Sequence, residues 1–68
     1  MNLPTVTVQL TPPASLALVR LVERERMSRT DVINRALLGL DVLLAELASG
    51  KRLYLISEDG TREEVRLQ

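Results

Sequence analysis

The sequence predicts a small, mainly helical protein with short β segments, in the order strand, helix, helix and hairpin. Polar and apolar residues alternate over Thr5 to Leu10, which is typical of a strand, and apolar residues recur at helical spacings in two later stretches. A Gly-containing turn between two strand-like runs near the C-terminus is the third observation. We therefore expect one domain over residues 1–50 and a β-hairpin extension over residues 51–68.

The size of the chain favours a partner subunit. A domain of 68 residues buries too little surface to be comfortably stable without disulfides, metal or oligomerisation. The chain has no Cys, which excludes disulfides, and it also lacks His, so the usual zinc sites are nearly excluded. We expect an obligate homodimer.

The composition argues against several classes of protein. There is no His, no Cys and no Gly-rich phosphate loop, so we expect neither an enzyme nor a cofactor. The acidic pairs at Glu58-Asp59 and Glu63-Glu64 do not match a calcium-binding loop, and no metal site is expected. No apolar stretch is long enough to span a membrane and no secretory signal is visible, so we expect a soluble, cytoplasmic protein.

The charges balance overall but are unevenly distributed. Nine basic and nine acidic residues give a net charge of zero, which argues against nucleic-acid binding by bulk electrostatics alone. Residues 1–36 carry five arginines against three acidic residues, a net charge of +2, and the remainder is −2. The positive excess therefore lies in the N-terminal half.

The first predicted element is a half-buried strand over Thr5 to Leu10, which is rich in β-branched residues. A single short strand cannot satisfy its own backbone hydrogen bonds, so its nearest candidate partner is the same strand of a second subunit. Its apolar face consists of Val6, Val8 and Leu10, and its polar face consists of Thr5, Thr7 and Gln9.

Two helices are predicted after the strand. Thr11 can cap a helix that has Pro12 at its first position and ends near Arg26. Ser28 stands three residues before Asp31, a variant of the capping box, and begins a second helix that runs to about Ala48, with Gly50 as its stop. The apolar surface of this second helix is broader than one partner helix could cover.

A hairpin is predicted from two strand-like runs, Arg52 to Ser57 and Thr61 to Leu67, joined by a Gly-containing turn over residues 58–60. A hairpin is marginally stable alone, so its apolar side must pack on something. That side consists of Leu53, Leu55, Val65 and Leu67. The hairpin either covers the apolar end of the second helix, stabilises the dimer or binds a partner protein.

Two segments resemble the ribbon-helix-helix family of Arc-, MetJ- and CopG-type repressors. These are Val6-Thr7-Val8-Gln9-Leu10-Thr11-Pro12 and the second-helix opening from Ser28 to Leu37, within a match over residues 4 to about 48. The resemblance implies a dimer in which two strands form an antiparallel β-ribbon above four interlocked helices. It further implies a double-stranded DNA-binding transcriptional regulator, with repression as its expected mode.

The polar face of the strand supplies the candidate base contacts, Thr5, Thr7 and Gln9. A two-stranded ribbon fits the major groove, where Gln9 can bond an adenine edge and a threonine methyl can contact thymine. The ribbon has no Arg or Lys, in contrast to many members of the family, so we do not expect it to recognise guanine. The alternative is that these residues are simply the polar face of a strand.

Ser28, Arg29 and Thr30 are the candidate phosphate contacts, because amides at a helix N-terminus attract phosphate and the family binds the DNA backbone at this position. Asp31 opposes this role slightly, and plain N-capping is the alternative, although capping and phosphate binding can coexist. Since the net charge is near zero, binding is expected to need several dimers on repeated sites.

A different class of function also fits the sequence. The chain could be a dimeric protein-interaction module, such as an antitoxin-like or adaptor protein, in which the strand or the hairpin binds another protein. Selection of binding sites from a double-stranded DNA library would discriminate between the two functions.

Overall fold

The protein is mainly helical, with one short antiparallel sheet, in a computed structural model that describes residues 3–67. Its elements are α1 (Pro12–Glu25), α2 (Arg29–Ala48), β1 (Tyr54–Ile56) and β2 (Arg62–Glu64). The chain divides into two units, residues 1–34 and residues 35–68, with α2 running from the first into the second. The predicted two helices and C-terminal hairpin are therefore confirmed, and neither helix combines the length and apolarity that crossing a membrane requires.

Helix α1 has the start and the end that the sequence predicts. The Thr11 hydroxyl accepts a hydrogen bond from the Ala14 amide at 3.3 Å, and Pro12 occupies the first turn, where its missing amide hydrogen is not needed. The helix ends because Arg26 adopts a left-handed conformation with φ 52°. The amides of Arg26 and Met27 both donate to the Val22 carbonyl, which satisfies an acceptor that the helix end would otherwise leave unpaired.

Helix α2 begins directly after Ser28, whose hydroxyl accepts from the Asp31 amide at 3.1 Å. The predicted capping is thus confirmed for one of its two bonds. Among the hydrogen bonds of residues 3–67, the reciprocal one from the Ser28 amide to the Asp31 carboxylate is not formed. The helix ends at Ala48, and Gly50, with φ 95°, follows as the predicted stop, donating to the Leu47 carbonyl at 3.1 Å.

The predicted N-terminal strand is not formed within one chain. Residues 3–11 have no helical or β assignment, so Thr5 to Leu10 departs from the expectation. The physical reason is that a β-strand is defined by hydrogen bonds to a neighbouring strand, and no described segment pairs with this one. Its apolar side chains lie open to solvent, with Val6 79%, Val8 62% and Leu10 44% exposed. Strand formation by pairing with a second copy remains a prediction.

The C-terminal hairpin pairs β1 and β2 in the antiparallel register Tyr54↔Glu64, Leu55↔Glu63 and Ile56↔Arg62. The assigned strands are shorter than the predicted runs. Backbone bonds at either end continue the ladder: the Val65 amide donates to Leu53 and the Ser57 amide donates to Thr61, both at 2.8 Å. On the opposite strands, the Arg62 guanidinium lies 5.1 Å from the centre of the Tyr54 ring, a cation–π distance.

The hairpin turn depends on Gly60 and Asp59. Gly60 has φ 89°, a conformation that favours glycine, and its amide donates to the Ser57 carbonyl at 2.9 Å. The Thr61 amide donates to the Asp59 carboxylate at 2.9 Å and holds the pKa of Asp59 below its ordinary value. The charged carboxylate therefore stabilises the turn at neutral pH, and that contribution is lost as the pH falls through the lowered pKa.

The described chain has almost no interior. Among residues 3–67, only Val32 is buried, with 7% of its surface exposed. In the C-terminal unit, the half-buried Leu53 and Val65 line an open groove together with Leu44 and Leu47 of α2. The predicted apolar side of the hairpin is thus covered only in part, because Leu55 and Leu67 are exposed.

The left-handed Arg26 makes the end of α1 a site for stabilisation. A side chain at this φ costs about 1 kcal/mol relative to glycine, so Arg26→Gly should raise the free energy of unfolding by about that amount. Chemical denaturation followed by circular dichroism measures the change. Arg26→Ala is the matched control, since it removes the same charge but keeps a Cβ atom. Equal stability of the two variants would contradict the strain that we assign to this residue.

Candidate nucleic-acid interface

The N-terminal segment presents the three candidate base-contacting residues without any internal partner. Thr5, Thr7 and Gln9 are exposed, and within residues 3–67 their side chains take part in no hydrogen bond. The segment leads into Thr11, which is extended (φ −65°, ψ 157°) and caps α1. The cap therefore fixes the point at which the segment leaves the helix, and the polar groups of the segment are free to bind a ligand.

The N-terminus of α2 has two backbone donors with no acceptor in the described chain. The Asp31 amide donates to the Ser28 hydroxyl, and the Val32 amide donates to the Ser28 carbonyl at 3.0 Å. The amides of Arg29 and Thr30 come before these two and take part in no backbone hydrogen bond of residues 3–67. Free amides in the first turn, at the positive end of the helix dipole, are suitable donors for a phosphate oxygen.

The side chains at this end of α2 are also accessible. Ser28, Arg29 and Thr30 are all exposed, as the sequence predicts for phosphate contacts. The Thr30 carbonyl accepts from the Asn34 side-chain amide at 2.7 Å. The Thr30 hydroxyl forms no hydrogen bond in the described part of the chain. The Ser28 hydroxyl, in contrast, accepts one hydrogen bond as a cap, but its own hydrogen can still be donated to a phosphate oxygen.

Two arginines give this turn a positive character, and only one of them, Arg29, is predicted as a site residue from the sequence. Arg26 and Arg29 lie on either side of Ser28 along the chain, and neither forms an ion pair among residues 3–67. Arg24 is different, because its guanidinium lies 3.6 Å from the Glu25 carboxylate. The sequence gives no sign that Arg26 ends the helix in a left-handed conformation, since glycine or asparagine is usual there.

The six predicted site residues belong to two separate stretches of the N-terminal unit. Helix α1 lies between them in the chain, and no hydrogen bond among residues 3–67 joins one stretch to the other. Each stretch is therefore a separate surface. The N-terminal stretch offers hydroxyl and amide groups without charge, and the α2 stretch offers backbone amides with adjacent cations.

Substitutions of Ser28 separate its capping role from a charge effect. Ser28→Ala removes the acceptor for the Asp31 amide and should lower the free energy of unfolding by about 1 kcal/mol. Ser28→Asp keeps an acceptor and should remain within a few tenths of a kcal/mol of the original protein. Denaturant unfolding of the two variants measures the difference. If both lose the same stability, the cap does not stabilise α2.

Comparison with known proteins provides no relative from which residue roles could be transferred. No protein-family model, no curated protein and no solved structure matches the chain. The candidate roles of these residues therefore rest on their own chemistry and on the geometry described above.

Proposed function

We propose that the protein is a homodimeric, sequence-specific double-stranded DNA-binding transcriptional regulator of the ribbon-helix-helix type, acting in the cytoplasm as a repressor. One observation carries the proposal: an exposed, unpaired segment with strand alternation directly precedes two capped helices, and the second helix has free amides at its N-terminus. Such an order provides a ribbon for the major groove and anchors for the DNA backbone.

The exposed apolar surface supports a dimer. Large apolar side chains are exposed on both helices, among them Leu16 at 59%, Leu37 at 63% and Leu38 at 69%. Apolar surface of this kind marks an interaction site, and a second copy of the chain would cover it.

The N-terminal segment is suited to pairing with its own copy. An antiparallel ribbon would satisfy the unpaired backbone groups and place Val6, Val8 and Leu10 together on one face. The opposite face would carry Gln9 and the two threonines outward. A ribbon of this width enters the major groove, where a glutamine amide bonds adenine and a threonine methyl contacts thymine.

Backbone anchoring would come from α2 rather than from the ribbon. The free amides of Arg29 and Thr30 and the guanidinium of Arg29 can each contact phosphate. Because the ribbon has no cation and the whole chain is neutral, we expect modest non-specific affinity. Several dimers on repeated sites would then provide the total affinity, which fits a regulator of operators with repeated sequences.

The second candidate function is a dimeric protein-interaction module, antitoxin-like or adaptor-like. The observation that favours it is the hairpin, whose β1 residues Leu55 and Ile56 are exposed apolar side chains beside an unpaired strand edge. If a double-stranded library selection with the intact protein enriches no sequence motif, this function becomes the better account.

Folding and dimerisation should be coupled, because the single chain buries so little. The melting temperature should therefore rise with protein concentration, as mass action requires for a dimer that unfolds to monomers. Thermal unfolding followed by circular dichroism over a hundredfold range of concentration measures this. A melting temperature that is independent of concentration would contradict the dimer.

Gln9→Ala should reduce sequence discrimination while leaving the dimer intact. A bidentate amide–adenine contact contributes about 1–3 kcal/mol of discrimination, so the preference at one base pair should fall by about 5- to 150-fold. Binding of the selected operator and of single-base variants, measured at one fixed salt concentration, gives this preference.

Ser28→Asp is the comparison variant for Gln9→Ala, since it keeps the cap but places a negative charge beside the phosphate. It should weaken binding to every sequence by a similar factor, because backbone contacts carry no sequence information. Unchanged discrimination in Gln9→Ala, with an unchanged dimer mass, would remove Gln9 from the recognition surface.

A further inference from the structure

The edge of β1 that faces away from β2 has unpaired backbone groups in a defined alternation. The Ser57 amide donates to the Thr61 carbonyl and the Leu53 carbonyl accepts from the Val65 amide, so Leu55, which has the same parity, faces β2. The N–H and C=O groups of Tyr54 and Ile56 therefore point toward the open edge. No described segment pairs with that edge, and a free edge of this kind is a template for another strand.

The residues around β1 form a charge pattern that is complementary to itself. Two basic residues precede the strand and two acidic residues follow it, in the sequence Lys51-Arg52-Leu53-Tyr54-Leu55-Ile56-Ser57-Glu58-Asp59. In an antiparallel pairing with a second copy centred on Leu55, Arg52 of one copy comes beside Glu58 of the other, the first residue of the hairpin turn. Opposite charges at neighbouring cross-strand positions are stabilising.

We propose that the free edge of β1 pairs antiparallel with the same edge of a second copy of this chain, about a two-fold axis at Leu55. The two hairpins then form one four-stranded sheet. Leu55 would lie opposite its own copy, in the closely spaced type of pair, because its backbone groups face β2. Tyr54 and Ile56 would exchange backbone hydrogen bonds with Ile56 and Tyr54 of the second copy.

The side chains at this edge favour the pairing. Leu55 is 62% exposed and Ile56 is 67% exposed in the single chain, and the pairing would bring each beside an apolar or aromatic neighbour. Tyr54 opposite Ile56 is an aromatic–β-branched pair, of the kind that stabilises sheets. A two-residue slip would set Arg52 opposite Ile56 or Tyr54 opposite Glu58, so the charges and the apolar residues select the same register.

Contacts within the chain do not prevent this arrangement. The Lys51 ammonium contacts Glu46, and the Arg52 guanidinium lies 4.0 Å from the Glu64 carboxylate. The basic members of both pairs are well exposed, and pairs of this kind contribute little to stability. The Arg52 guanidinium can therefore turn toward Glu58 of a second copy at little cost.

The inference does not rest on DNA binding, since it concerns residues 51–59 and a different surface from the N-terminal segment. A protein that dimerises through its N-terminal strands and also pairs through β1 has two self-complementary surfaces per copy. Isologous contacts at both surfaces link dimers into larger assemblies. The site therefore gives a physical basis for assembly beyond the dimer.

Disulfide trapping tests the register directly, because the chain has no cysteine of its own. In Leu55→Cys the two Cα atoms at the axis would be about 4.5 Å apart, within the range that a disulfide bridges. In Ser57→Cys, also at an exposed position, the equivalent atoms would be about 13 Å apart, too far for a bridge. Under mild oxidation, Leu55→Cys should form a covalent dimer at least tenfold faster than Ser57→Cys.

Charge variants in the Leu55→Cys background provide the second measurement. Arg52→Glu places an acidic residue at both positions of the pair, and Glu58→Lys places a basic residue at both, while the turn residue Asp59 is left unchanged. Each variant alone should lose the fast cross-link, whereas an equimolar mixture of the two should recover it as a mixed dimer. Circular dichroism verifies that each variant is folded.

Either of two results would overturn the proposal. One is a Leu55→Cys cross-linking rate no higher than that of Ser57→Cys. The other is a rate that does not respond to the charge reversals or to mixing them. Since DNA binding is not measured in these experiments, their failure leaves the proposed regulator role to its own test.

Discussion

The scarcity of interior is the constraint on which the rest of this structure depends. The chain has neither Cys nor His and only one aromatic residue, so aliphatic burial must supply nearly all of its stability. In one copy that burial is almost absent, because Val32 is the only buried residue among residues 3–67. Exposed apolar side chains of this kind mark interaction surfaces, which is consistent with the homodimer that we propose.

The elements predicted correctly are those determined by local chemistry. The cap at Thr11, the cap at Ser28 and the glycine turn at Gly60 each act over three or four residues, so the sequence alone located both helices and the hairpin. The N-terminal strand could not be established in this way. Its alternation indicates which side chains share a face, but its hydrogen bonds must come from a segment outside the described chain.

The left-handed conformation of Arg26 is a feature of the fold that the sequence does not predict. The helix end that it forms is where the sequence predicts, yet its left-handed conformation has no compositional signal, because arginine is not a residue that favours it. The conformation follows from the bonds that Arg26 and Met27 make to Val22. Arg26 stands two residues before the Ser28 cap, so it adds a second cation near the candidate phosphate site.

The pairing register of the two candidate self-pairing segments, the N-terminal segment and residues 51–59, is determined by different interactions. A slip of one residue in the N-terminal ribbon would turn its apolar face outward, so alternation excludes it, but a slip of two would preserve both faces. That segment has no charges to penalise such a slip, whereas residues 51–59 do. In the dimer that we propose, the register of the ribbon would be set by the apolar side chains of the helices on which it packs. Under that proposal, mutations in those helices would alter DNA recognition without contacting DNA, because they would move Gln9 relative to its copy.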